Sequence, residues 1–192
     1  MKTMPRLLIR GLSLLVWLLV AVPGLASAWE LQGIKTITAH TRDKQQITLG
    51  TVHFEPRGGA SVVFTVAMEH SRFTDYFLSM KEFKCLNGQG EVVCQVPYPY
   101  PQPGTVTANN FAWLEHSLLF FYKLPSEFGA TLWNGLYFHL ERTDRGLLGR
   151  PQAIDLNRIS APPDALAVPP FGPELRDDIA PGTRWIESLT IE

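Results

Sequence analysis

Residues 61–69 read SVVFTVAME, and every second side chain of this stretch is apolar. An extended chain places successive side chains on opposite faces. One face would then carry Val62, Phe64, Val66 and Met68, and the other Ser61, Thr65 and Glu69. This period of two predicts a β-strand with one buried face.

The segment before it, residues 46–55, predicts the partner strand. Its apolar alternation slips across Gly50 and Thr51, which indicates a β-bulge. Pro56, Arg57, Gly58 and Gly59 lie between the two segments, and such residues favour a tight turn. The sequence therefore predicts a β-hairpin.

Further strands are expected along the chain. Residues 132–141 alternate with an aromatic outer face, and the apolar segment 111–122 is typical either of a central strand or of a buried helix, with its aromatic content favouring a strand. Shorter candidate strands cover 34–40, 91–96, 154–159 and 185–191. In the stretch 71–82, Phe73, Tyr76, Phe77 and Met80 have helical spacing, which allows one short helix.

This pattern predicts an all-β fold. Several short strands with turn signals and little helical period indicate a single-domain antiparallel β-sandwich or small β-barrel, of about seven to nine strands. Two proline-rich stretches, residues 97–103 and 161–182, predict long loops, the second lying on the surface.

Residues 1–28 have the order of a cleavable signal peptide. Lys2, Arg6 and Arg10 precede the apolar run of residues 12–22, and small residues ending at Ala28 follow it. Cleavage before Trp29 would leave one exported domain, residues 29–192, with no transmembrane segment and a periplasmic or secreted location. Its formal charge would be −4, because three of the seventeen basic residues and none of the eighteen acidic ones precede residue 29. A mildly acidic domain argues against a nucleic-acid partner.

Cys85 and Cys94 are the only cysteines of the chain. An oxidising compartment favours a disulfide between them. If they face each other across a hairpin, Gln89 and Gly90 form its turn. The spacing differs from the Cys-x-x-Cys pattern of redox pairs, so we expect a structural bond.

No nucleotide-binding loop, nucleophile elbow or zinc-protease helix is present, and no cofactor is expected. We therefore expect a non-catalytic binding or interaction module. Its partner would be an apolar small molecule or an envelope protein, held by large aromatic side chains. The candidates are Tyr98, Tyr100, Trp113, Trp133 and Tyr137.

Histidine and glutamate recur close together and suggest further chemistry. His53 with Glu55, and His139 with Glu141, share one face of a strand and would offer a nitrogen and an oxygen to a metal ion. An alternative function is an envelope hydrolase or lyase that uses Glu115 with His116, or His139 with Glu141, in acid–base catalysis. A purely structural or assembly role is the third hypothesis.

Overall fold

The computed structural model describes residues 29–192, so the signal-peptide segment lies outside the described residues. Its twelve strands form one antiparallel sheet. They are β1 (Gly33–Thr41), β2 (Gln46–Pro56), β3 (Val62–Met68), β4 (Thr74–Leu78), β5 (Lys81–Asn87), β6 (Val92–Gln95), β7 (Thr105–Val106), β8 (Phe120–Lys123), β9 (Gly135–Arg142), β10 (Leu147–Ile154), β11 (Asp177–Asp178) and β12 (Ile186–Ile191). One short helix, α1 (Ala112–Ser117), and three 3-10 turns, at His70–Arg72, Leu156–Ile159 and Pro173–Leu175, complete the fold.

The predicted all-β class is confirmed. The strand order is β4-β5-β6-β8-β9-β10-β12-β1-β2-β3-β7, with β11 added to β10, and the sheet does not close into a barrel. Buried apolar side chains from most of the strands form a single core, as expected of a sandwich-like arrangement. No helix in residues 29–192 has the length and hydrophobicity needed to cross a membrane.

The hairpin predicted from residues 46–69 is confirmed. Strand β2 pairs with β3 from Gly50 opposite Met68 to Pro56 opposite Val62. The predicted bulge lies where β2 pairs with β1. Ile37 of β1 pairs with Gly50, and the next residue, Thr38, pairs with Thr48, so Leu49 has no partner on β1. A Cβ atom at Gly50 would lie 2.2 Å from the carbonyl oxygen of Ala67, so the bulge requires glycine there.

The helix considered for residues 71–82 is not formed. The chain makes a single 3-10 turn at His70–Arg72 and then the hairpin of β4 and β5. Ser79 and Met80 take up positive φ values at the tip of this hairpin, as a tight two-residue turn requires. The helical spacing of the aromatic residues is therefore coincidental.

Two other segments differ from the sequence-based expectation. The stretch 111–122, predicted as a strand, begins as helix α1 and becomes strand β8 only at Phe120. Of residues 154–159, predicted as a strand, only Ile154 belongs to one, as the end of β10. Leu156–Ile159 form a 3-10 turn, before which the Asp155 side chain accepts a hydrogen bond from the Asn157 N–H. Strand β10, which pairs with β9 along its whole length, was not expected.

The cysteine hairpin has the predicted register. Cys85 lies opposite Cys94, the two are joined by a disulfide, and Gly88 and Glu91 flank the Gln89–Gly90 turn. This turn packs against Trp185, whose backbone N–H donates to the Glu91 carboxylate at 3.0 Å. The sheet around the disulfide is therefore tied to the chain just before β12.

Candidate functional site

A cleft of about 390 Å³ lies between helix α1, strand β9 and residues 168–176. Helix α1 packs against strand β9, and the segment 168–176 contacts both, through Phe171 on His116 and Arg176 on Tyr137. Apolar groups form much of its wall: Phe111, Ala112, Leu140, Val168, Pro169, Phe171 and Pro173. Its polar and charged groups are Asn109, Asn110, Glu115, Tyr137, His139 and Arg176.

Glu115 is a buried carboxylate at the base of this cleft, with 3% of its surface exposed. Its Oε1 atom accepts a hydrogen bond from the Leu140 N–H at 2.7 Å and lies 3.0 Å from His139 Nδ1. Its Oε2 atom accepts a hydrogen bond from the Tyr137 hydroxyl. Three hydrogen bonds can offset the cost of burying this charge, so Glu115 joins α1 firmly to β9.

Tyr137 remains a hydrogen-bond donor in this arrangement. Burial, and then the neighbouring negative charge of Glu115, raise the pKa of its hydroxyl well above the ordinary value. The hydroxyl therefore keeps its proton at any physiological pH. The sequence suggested that Tyr137 lies on an aromatic outer face of its strand, but α1 and the 168–176 segment cover it.

His116 is fully buried and holds the 168–176 segment in place. Its Nδ1 lies 2.6 Å from the Ala112 carbonyl oxygen, and its Nε2 accepts a hydrogen bond from the Phe171 N–H at 3.2 Å. These partners fix a neutral ring with the proton on Nδ1. Burial lowers the pKa of His116 to about 4, because a charged imidazolium would lose its hydration there. His116 is thus a structural residue that stacks on Phe171.

Arg176 brings a positive charge into the cleft. Its guanidinium carbon lies 4.6 Å from the ring centre of Tyr137, and one terminal nitrogen lies 3.5 Å from His139 Nδ1. The buried Nε atom of Arg176 has no hydrogen-bond partner. Among residues 29–192, Arg176 forms no ion pair with an aspartate or a glutamate.

Of the five aromatic residues predicted to bind a ligand, Tyr137 alone lines this cleft. Tyr98 and Trp113 are buried behind it, where Tyr98 packs on the rings of Trp113 and His116. Tyr100 packs beside Tyr98 and donates a hydrogen bond to the Ile159 carbonyl oxygen at 3.0 Å. Trp133 lies apart, with 68% of its surface exposed. The structure therefore does not bring the five together as one surface.

Of the two predicted histidine and glutamate pairs on a shared strand face, His53 with Glu55 is formed and His139 with Glu141 is not. His53 and Glu55 lie 3.3 Å apart as an exposed pair, but Glu141 contacts Arg150, and His139 turns to Glu115. Adjacent Glu115 and His116 have separate partners. In the part of the chain that the structure describes, no group of three or more histidine, cysteine or acidic side chains is arranged to hold a metal ion.

The pairing of Glu115 with His139 was missed by sequence reasoning, and so was Arg176. These residues meet only because α1 packs on β9 and the proline-rich segment folds back over both. One signal was present, since a glutamate inside the largely apolar stretch 111–122 has to find buried partners.

A larger depression of about 830 Å³ lies between β10, residues 178–184 and β12. Its charged side chains include Arg150 and Glu187, and none of its lining titratable residues is buried. The cleft beside Glu115 is the better candidate site because buried polar groups converge on it.

No family model, no curated protein and no solved structure matches this chain. We therefore infer function from the geometry of the cleft.

Proposed function

We propose that the chain is an exported binding module that holds a small, largely apolar ligand in the cleft between α1, β9 and residues 168–176. The observation that carries this proposal is the cleft itself, in which apolar walls surround a few convergent polar groups. Small-molecule sites commonly have this composition, because apolar contact supplies affinity and a few polar groups fix the ligand's orientation.

The segment 168–176 supports this proposal. His116 and Phe171 anchor its middle, while Val168 at the rim is 59% exposed. A pre-formed wall reduces the ordering cost that a ligand must overcome on binding. The site would thus be ready to accept a ligand without folding around it.

The exported location is part of the proposal. It is supported by the signal-peptide pattern of residues 1–28 and by the Cys85–Cys94 disulfide, which is favoured in oxidising compartments. We expect the full chain, expressed with its leader in a secreting host, to be recovered in the exported fraction with Trp29 as its first residue. An uncleaved chain retained in the cytoplasm would contradict this part.

Ligand binding can be tested by amide NMR titration with a library of small aromatic and aliphatic compounds. We expect at least one compound whose saturable shifts concentrate on Leu140, Phe171 and Gly172. Val168→Asp should weaken its binding at least about tenfold by placing a charge on the apolar rim. Leu166→Asp is the matched control, because Leu166 is exposed two residues before Val168 and does not line the cleft. No saturable ligand, or shifts confined to another surface, would overturn the proposal.

A second candidate function is acid–base catalysis in the same cleft. The specific observation is the Glu115–His139 pair, since a carboxylate at one imidazole nitrogen orients the ring for acid–base chemistry. The side chain of His139 is 42% exposed, so the ring remains accessible to a substrate.

This second candidate predicts multiple-turnover hydrolysis of 4-nitrophenyl esters of short acids by the full chain. His139→Gln should then lower turnover by about 100-fold, the usual contribution of a general base. His53→Gln, which changes an exposed histidine elsewhere, is the control. Equal rates for wild type and His139→Gln would exclude catalysis by this pair.

A further inference from the structure

We infer that the ligand of this cleft carries a carboxylate, which Arg176 binds, on an apolar body that contacts Phe111, Val168 and Pro169. This inference rests on the proposed binding function and narrows it to one chemical class. It follows from the hydrogen-bonding capacity, the charge and the surroundings of Arg176.

The guanidinium group of Arg176 has unused capacity. Arginine offers five N–H donors in a rigid fork and accepts none. The buried Nε atom of Arg176 has no hydrogen-bond partner. One of its Nη atoms lies 3.5 Å from His139 Nδ1, but Glu115 contacts that same nitrogen more closely, at 3.0 Å. A partly buried cation with an unmatched donor favours an incoming anion.

Glu115 does not satisfy Arg176 and is already engaged. Its two oxygens are occupied by Leu140, Tyr137 and His139, and it forms no ion pair with Arg176. A second carboxylate could therefore pair with the terminal nitrogens of Arg176 without displacing a hydrogen bond of Glu115. Bidentate pairing with a planar carboxylate matches the fork geometry better than pairing with a neutral amide.

The apolar lining of the cleft selects the rest of the ligand. Phe111 and Phe171 are buried apolar residues, and Val168 and Pro169 continue the same wall toward solvent. Asn109 and Asn110 at the rim add neutral polar groups and no charge. A short aromatic or aliphatic acid fits this cleft better than a sugar or a polyanion does, because the cleft combines one arginine with mainly apolar lining residues.

The test compares 3-phenylpropanoate with 3-phenylpropanamide, which share an apolar body and differ in charge. Titrations use the exported domain, residues 29–192, at neutral pH and low salt, with amide NMR shifts as the readout. We expect the carboxylate to bind the cleft at least about tenfold more tightly than the amide, the gain typical of a charge-assisted hydrogen bond.

Arg176→Gln should remove this preference and leave the amide affinity within about twofold, while Arg176→Lys, which keeps the charge but loses the fork, should retain part of the preference. Arg72→Gln is the control, because Arg72 is exposed and lies outside the cleft. Amide spectra of each variant establish that it is folded.

The outcomes separate the two proposals. Equal binding of both compounds in the cleft, or a carboxylate preference that survives in Arg176→Gln, overturns the carboxylate inference and leaves the binding function standing. A neutral library compound that binds the cleft while 3-phenylpropanoate does not also overturns this inference alone. If no compound of either kind binds the cleft, both proposals fail.

Discussion

The Oε1 atom of Glu115 lies 3.0 Å from Nδ1 of His139, a residue 24 positions further along the chain. This contact joins the only α-helix of residues 29–192 to the strand beneath it. Because the same carboxylate also accepts hydrogen bonds from Leu140 and Tyr137, it is at once a structural link and a wall of the candidate site.

Removing this carboxylate should destabilise the domain. Glu115→Ala leaves the buried Leu140 N–H and Tyr137 hydroxyl without their acceptor, and we expect the free energy of unfolding to fall by about 3 to 5 kcal/mol. Urea unfolding followed by fluorescence measures this change. Glu30→Ala, at an exposed glutamate, should stay within about 0.5 kcal/mol of wild type. Similar losses in the two variants would contradict the buried network.

The ring of His116 should titrate near pH 4, which its ring proton shifts measured by NMR would show directly. An unfolded chain has a histidine pKa of about 6.5, so the unfolded state binds more protons between these values. The contribution of neutral His116 to stability is therefore complete above about pH 6.5 and decreases as pH falls toward 4, by about 3 kcal/mol.

Unfolding measured at pH 7.5 and pH 4.5 checks this linkage. Wild type should lose more stability over this interval than His116→Gln, which cannot take up a proton at that site. Parallel losses, or a ring that titrates near pH 6.5 in the folded protein, would show that His116 is not buried as described.

The Cys85–Cys94 disulfide should stabilise the domain mainly by restricting the unfolded chain. It closes a loop with a sequence separation of 9, for which the loop-entropy relation gives about 2.5 to 3 kcal/mol. The double variant Cys85→Ala, Cys94→Ala should lose that amount in urea unfolding and keep the strand register. Wild type treated with a reductant should match the double variant. No loss in either sample would mean that the bond adds nothing to stability.

The parts of the fold that follow from local pattern were predictable. In the hairpin of β2 and β3, residues 61–69 keep a period of two beside strong turn residues, and the register of the cysteine hairpin is fixed by one pair of facing residues. In both cases the interactions that determine the structure are close in sequence.

Segments whose structure depends on distant contacts were not predictable. Helix α1 has six residues and no side-chain cap, so a buried strand would give the same apolar pattern. Strand β10 contains Gly149 and Pro151, which normally argue against a strand, yet it pairs with β9 along eight residues. Its place between β9 and β12 outweighs its local composition.

The candidate site depends even more on tertiary structure. Arg176 lies in a segment predicted only as a proline-rich surface loop, and nothing in its sequence neighbours indicates that it reaches Tyr137. Glu115 could be identified from its apolar surroundings, but its partners could not, because His139 is one of five histidines in the chain.

The packing of Gly88 against Trp185 gives a last prediction. A Cβ atom at Gly88 would lie 2.1 Å from the indole ring, which is buried and donates a hydrogen bond from Nε1 to Asp43. Gly88→Ala must therefore displace the ring, and we expect a loss of about 2 to 3 kcal/mol in the free energy of unfolding.

A double-variant cycle with Trp185→Leu separates this clash from a general effect on the turn. Because the smaller side chain leaves room, Gly88→Ala should cost less than about 1 kcal/mol in that background. The same cost in both backgrounds would show that the turn requires glycine for another reason. A cost that disappears with the indole would establish that Trp185 fixes the position of the disulfide hairpin on the sheet.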